Sequence, residues 1–290
     1  VVVSEQQWTS VRKSLREAAA RFGELVRAAP DPAAMATPDW TVADTAAHVA
    51  MVAWLYTTLF DTGGDPLPVP DLPARVRAIT VDTVGEFNEV ALATVAERDP
   101  VALAELLRTG VEEILRVTED RDPDKPIDWL GEARLPLAGA LAHLLNEIVV
   151  HGHDIAKVTG APWVVRDEDA ALFFELFFLG MVGNGVGRLL DIDKPVLRRR
   201  IVVEFRSAHT APATVLLHRG QISMAPPGTT GVDVRVRFEP STMVLVLFHR
   251  VGRVRAGLTG KLRVGGPRPW LLLPFLRSVR LPDRYIAGPG

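Results

Sequence analysis

The apolar positions of the first half recur at helical spacing. Ser4 followed by Gln7 makes a capping-box start, and the pattern behind it predicts a helix to about residue 29, stopped by Pro30 and Pro32. Thr41 with Asp44 repeats the signal, with Ala47, Ala50, Met51, Trp54 and Leu55 on one helical stripe. A Gly/Pro-rich loop is expected over 63–73, helices over 81–97 and 101–117, and a polar loop carrying Asp120, Asp122, Pro123 and Pro126. A last long helix is predicted over 137–158, closed by Gly160. Long helices joined by loops imply an antiparallel bundle, whose ligand sites are built in its core.

The second half changes period. Ile201, Val203 and Phe205 alternate with Val202, Glu204 and Arg206, and Val232, Val234, Val236 and Phe238 alternate with Asp233, Arg235 and Arg237, which predicts half-buried strands. Residues 215–217 and 221–224 flank His218, Arg219 and Gly220, a hairpin turn. Pro240 starts a helix through Leu247, and 261–264 reads as a short strand before the apolar run 270–276. This is an α+β module, so the expected fold is a helical bundle followed by an α+β domain, with the boundary between 161 and 195.

A length of 290 residues, about twice the ~150 of one domain, supports two domains. Residues 1–186 carry 15 basic and 29 acidic side chains and residues 187–290 carry 18 and 6, so two units of opposite sign can dock on each other, or the basic one can attract an anion. The net charge of −2 gives no general attraction to nucleic acid or acidic membranes. The N-terminal helix is too polar for a signal peptide, and the apolar stretch 170–190 holds Glu175, Asn184 and Arg188 with four glycines, a buried helix and a flexible bend rather than a membrane span. A cytoplasmic protein is expected.

There is no cysteine, which excludes disulfides, thiolate nucleophiles and Cys-ligated metals, so any thiol chemistry must borrow its thiol. No GxxxxGK[ST] or GxSxG motif occurs. The informative segment is 143–154, HLLNEIVVHGHD. Glu147 and His151 share a helix face, the spacing at which a carboxylate and an imidazole chelate one metal. His143 shares that face too, but about 12 Å of helix rise separates it from His151, so Glu147 is expected to pair with one of the two. His153 points away. A third ligand must come from another helix, and His48, on the apolar stripe with Met51 and Leu55, qualifies. The same spacing also fits a core histidine and a surface Glu/His pair. Asp44 and Asp154 lie within about a turn of His48 and His151, placed either to orient the imidazoles or to cap and solvate.

Trp40-Thr-Val-Ala-Asp44 leading to His48, then Glu147-Ile-Val-Val-His151-Gly-His153-Asp154 and Gly160-Ala-Pro-Trp163, resembles the metal-binding domain of the mycothiol-dependent maleylpyruvate isomerase family. The resemblance implies a DinB-like four-helix bundle over 1–165 that holds a divalent metal, usually zinc, through His48, Glu147 and His151. The segment 259–266, TGKLRVGG, with the apolar stretch behind it, resembles the closing strand and helix of sterol carrier-like domains and implies such a domain over 166–290. The function implied is a zinc-dependent enzyme using mycothiol. A metal-bound thiolate would add to an activated alkene of the maleylpyruvate type, for isomerisation or S-transfer. Arg206, ending the first strand of the basic domain, is the arginine expected to hold a substrate carboxylate. Two rivals use the same features: a non-haem iron enzyme with this two-His-one-carboxylate set, and a non-catalytic carrier of a hydrophobic ligand.

Overall fold

Local capping signals decide where the long helices start. In the computed structural model, which describes residues 2–191, 197–226 and 228–279, Ser4 and Gln7 form a complete capping box for α1 (Glu5–Arg27), and Thr41 with Asp44 forms another for α2 (Val42–Leu59). Two short helices follow, α3 (Leu72–Ala78) and α4 (Val84–Ala93), and then α5 (Pro100–Val117), capped by Asp99. The expected loop at 63–73 thus ends in a helix, and the helix expected over 81–97 is shorter at both ends. Pro73 falls in the first turn of α3, where a missing N–H costs nothing, so the proline that reads as loop is a helix starter. A small hairpin, β1 (Pro126–Asp128) with β2 (Arg134–Pro136), leads into α6 (Leu137–Thr159), which Gly160 closes in the left-handed region as its spacing predicts.

The four long helices close a ring in which α1 packs on α5 and α6, and α2 packs on the same two. Their shared apolar core takes in Leu15, Phe22, Met51, Leu107 and Ile148. Gly152 of α6 shows how tight the outer contacts are. A Cβ there would stand 2.1 Å from the ring of Trp163, whose Nε1 donates to the Val149 carbonyl (3.0 Å). Gly152→Ala is therefore expected to cost about 1–3 kcal/mol by overpacking. An unchanged denaturation midpoint would show that the Trp163 loop yields freely.

Residues 167–184 form one helical rod: α7 (Asp167–Leu172), a π-helical stretch Phe173–Leu179, and α8 (Gly180–Asn184). Gly180 and Gly183 lie inside it, so the expected bend begins later, at Gly185 and Gly187, both with positive φ. Gly180 is needed for contact, since its Cβ would meet the Pro136 ring at 2.8 Å. The rod serves both cores. Phe173 and Phe177 join the bundle cluster, whereas Phe174, Leu179 and Val182 join a second cluster with the sheet. The transition expected at 161–195 runs through this rod, and 192–195 lie outside the described residues.

The sheet comprises β3 (Ile201–Arg206), β4 (Ala213–His218), β5 (Gln221–Met224), β6 (Val234–Phe238) and β7 (Leu262–Gly265), in the order β5-β4-β3-β6-β7. All neighbours are antiparallel except β3 and β6. Arg219 and Gly220, both with positive φ, turn the β4–β5 hairpin. Asp233 does not belong to an exposed strand face as the alternation suggests. It is buried, accepts from Val202 N–H (2.9 Å) and pairs with Arg268 (2.8 Å). Helices α9 (Pro240–Leu247), α10 (Arg253–Leu258) and α11 (Leu272–Ser278) complete the module, with Leu271 and Phe275 buried but Trp270 and Leu273 exposed. The molecule thus joins an N-terminal helical region to a C-terminal sheet region. Among the described residues no helix is long and apolar enough to cross a membrane.

Candidate metal centre

The apolar stripe of α2 carries one imidazole inward, and α6 carries the facing set. His48 Nε2 stands 3.3 Å from Glu147 Oε2, and His151 Nε2 stands 3.5 Å from the same oxygen. One donor atom from each residue lies within 4.8 Å of the other two, and no other His/Cys/Asp/Glu set meets this test among the described residues. His48 is 2% exposed, and the Trp40 ring lies over it with centroids 4.6 Å apart, so little of the imidazole meets solvent. Two imidazoles and a carboxylate converging from two helices are a donor set that suits a divalent transition metal and leaves coordination positions open.

The protonation states fit that use. Burial holds the His48 imidazole below its ordinary range, outweighing the Glu147 hydrogen bond, so it is neutral and able to donate a lone pair. Burial alone would raise the Glu147 carboxyl, but the hydrogen bonds of His151 and His48 and the nearby imidazoles hold it well below the usual carboxylate range. His151 is opposed by burial yet raised by Asp154 and Glu147, one carboxylate at each ring nitrogen. A metal at Nε2 would take the place of the proton there, and Nδ1, 3.2 Å from Asp154 Oδ2, would keep its own.

Asp154 is itself held by an arginine that no motif or spacing singles out. Arg250, just after α9, forks onto both carboxylate oxygens, Nε to Oδ1 at 2.9 Å and Nη2 to Oδ2 at 2.5 Å. The two side chains are only 10% and 7% exposed. Burial would raise the Asp154 carboxyl, but the forked hydrogen bonds from Arg250 and the neighbouring His151 and His153 imidazoles push it far below its usual range. Asp44 takes the other role open to it. It closes the capping box of α2 and pairs with Arg98 at 2.8 Å.

His143 is close to Glu147 but on its other oxygen, Nε2 to Oε1 at 3.5 Å. Glu147 therefore faces both histidines of its helix, where the spacing argument assigned it one. The axial separation shows in which oxygen each imidazole meets. Trp129 Nε1–H donates to Tyr56 Oη (3.0 Å), and that hydroxyl lies 3.1 Å from His143 Nδ1. The polarity that satisfies every atom runs from Trp129 through Tyr56 and His143 to Glu147 Oε1. His143→Ala is expected to leave most of the bound metal in place, read by elemental analysis. Loss equal to that in His151→Ala would make His143 a ligand.

Arg206 is not brought to this place. It is exposed and paired within its own sheet to Glu204 (2.9 Å), which also meets Arg235 (3.3 Å). His153 reaches Asp154 (3.9 Å) and stays outside the donor set.

The cluster sits in the wall of one cavity of about 490 Å³ that continues to the sheet, with Met51, Tyr56 and Phe177 on the helical side and Phe205, Met243 and Phe275 on the other. Residues 11–156 match the family model of the mycothiol maleylpyruvate isomerase N-terminal domain. The chain belongs to that family. The part matched to the mycothiol maleylpyruvate isomerase domain contains His48, Glu147, His151 and Asp154, whereas Arg250 lies beyond it. Among solved structures, the mycothiol-dependent maleylpyruvate isomerase aligns over 85% of this chain and 90% of its own, at 14% identity and a TM-score of 0.48. A histidine-to-alanine mutant of the mycothiol-dependent maleylpyruvate isomerase aligns over 82% and 87%, at 13% identity and a TM-score of 0.46. No curated protein sequence matches the chain.

Proposed function

We propose that this member of the mycothiol maleylpyruvate isomerase family is a metal-dependent enzyme that uses mycothiol, or a close relative, to isomerise or modify an electrophilic small molecule. The observation that carries the reading is the convergence of His48 Nε2, Glu147 Oε2 and His151 Nε2 on a cavity wall. In this reading residues 1–165 are a DinB-like bundle and 166–290 a sterol carrier-like domain. The ion is zinc, held by His48, Glu147 and His151. When bound it supplies a Lewis-acid position at which a thiol is held as the thiolate near neutral pH.

The chain's own residues set up that chemistry. His48, kept neutral by burial, and Glu147, kept ionised by its imidazole neighbours, would become ligands when a metal takes the place of the proton that His48 Nε2 donates to Glu147 Oε2. Asp154, fixed by Arg250, sets the tilt and tautomer of His151. Tyr56 and His143 hold the second oxygen of Glu147 and so fix the rotation of its carboxylate. Trp40 covers the His48 ring, and the apolar walls exclude water that would compete for an electrophile. No cysteine of the chain can substitute for the borrowed thiol.

Adding mycothiol to the cobalt-loaded protein tests this directly. A sulfur-to-cobalt charge-transfer band, with mycothiol-dependent turnover on a panel of activated alkenes, is the expected result. An unchanged spectrum at saturating mycothiol would remove the thiol from the site and leave the iron or carrier reading.

A further inference from the structure

The walls of the cavity say which electrophile fits. Its exposed lining residues are polar: Asp39, Glu89 and His249 mark the mouth. Beyond the histidine cluster the lining turns apolar. Met51 and Phe275, at opposite ends, are each 1% exposed, and Phe205, Ile222 and Met243 are also buried. These buried side chains form the inner walls of the cavity.

A volume of about 490 Å³ falls within the ~300–1,000 Å³ of pockets that enclose drug-sized ligands, well beyond what a small dicarboxylate fills. Charge argues the same way. Among the described residues Arg250 is the one Lys or Arg on the walls, and both of its forked contacts are spent on Asp154. The remaining charged lining residues, Asp39, Glu89 and Glu147, are acidic. A substrate with one anionic or carbonyl end can place it at the cluster, but a second carboxylate carried into the depth would be desolvated with no cation to meet it.

We propose that the electrophile taken by this site has a single polar reactive end and an extended apolar body, a long acyl chain or fused rings, which runs from the His48/Glu147/His151 cluster to the sheet wall formed by Phe205, Ile222, Met243 and Phe275. The inference rests on the proposed thiol-dependent function for the word electrophile, but its binding part does not. Affinity rises with tail length because each methylene buried against these walls leaves water, worth roughly a fourfold gain.

The test is binding, read by displacement of cis-parinaric acid, a fluorescent polyene fatty acid, from zinc-loaded and metal-free protein. The competitors are alkyl vinyl ketones with tails of increasing length, and maleate serves as the dicarboxylate. The expected result is probe binding in both forms, displacement strengthening with tail length, and no displacement by maleate. Met243→Trp, which fills the sheet end and is not one of the three residues proposed to hold the metal, should weaken the probe at least tenfold with metal content unchanged. If that variant fails to fold, the tail-length series on the wild type still decides. Affinity independent of tail length, or maleate displacing better than the long ketones, overturns the proposal. Apolar binding without thiol-dependent turnover would sustain this inference and sink the proposed function. Metal- and thiol-dependent turnover of a short dicarboxylate with no apolar binding would do the reverse.

Discussion

Glu147→Ala is expected to abolish metal binding and thiol-dependent activity together. The carboxylate is the hub of the cluster: Oε2 faces His48 and His151, and Oε1 faces His143. Without it, two imidazoles from different helices remain, and no other carboxylate completes a set among the described residues. The loss should exceed the ~10–100-fold fall in metal affinity that follows from changing an outer partner of a ligand. Asp154→Asn supplies that milder comparison, since it leaves all three donor atoms in place. Metal titration followed by elemental analysis reads both. Stoichiometric metal in Glu147→Ala would mean that the ion sits elsewhere.

The second large effect lies at the fork between Arg250 and Asp154. Arg250→Ala leaves a carboxylate that is 7% exposed without its cation, and breaking a buried pair from one side costs about 3–5 kcal/mol. The contact joins α6 of the bundle to the segment after α9, so the loss should appear as lowered global stability in chemical denaturation. The folded-state pKa of Asp154 is depressed. Its contribution is therefore fully present above the unfolded carboxylate value of ~3.9 and lost as pH falls toward the folded value. The gap between wild type and Arg250→Ala should accordingly be widest near neutrality and narrow below about pH 4. Asp154→Asn combined with Arg250→Met should recover much of the loss, because no bare charge is left behind. A single-variant cost below about 1 kcal/mol would mean that the pair is solvated like a surface ion pair.

What the sequence disclosed about this site follows the range over which each signal acts. The capping boxes at Ser4 and Thr41 and the Gly160 stop are local hydrogen-bond problems solved within a few residues, and they stand where the pattern places them. The Glu147/His151 spacing is also local. The addition of His48 depended on reading one polar residue on an apolar stripe as a group aimed at another helix, and the structure brings it there. Arg250 carries no such sign. It follows α9 on a stretch with no distinct period, and its partner is 96 residues away. The alternation that nominated Arg206 states only that the residue faces away from its own core, and Glu204 two residues back meets it there. The Trp129–Tyr56–His143 chain stayed hidden for the reason that hid Arg250: its members come from three separate segments. The cavity arises from the facing of two surfaces, each of which reads in sequence simply as core.

The most direct test of the metal centre is anomalous scattering from crystals of the zinc-loaded protein, collected on either side of the zinc edge. The expected result is one peak per chain within bonding distance, about 2.0–2.2 Å, of His48 Nε2, His151 Nε2 and a Glu147 oxygen, with no bond to His143. A peak lying against His143, or zinc bound only at surface carboxylates with the His48/Glu147/His151 cluster keeping its direct imidazole–carboxylate contacts, would contradict it.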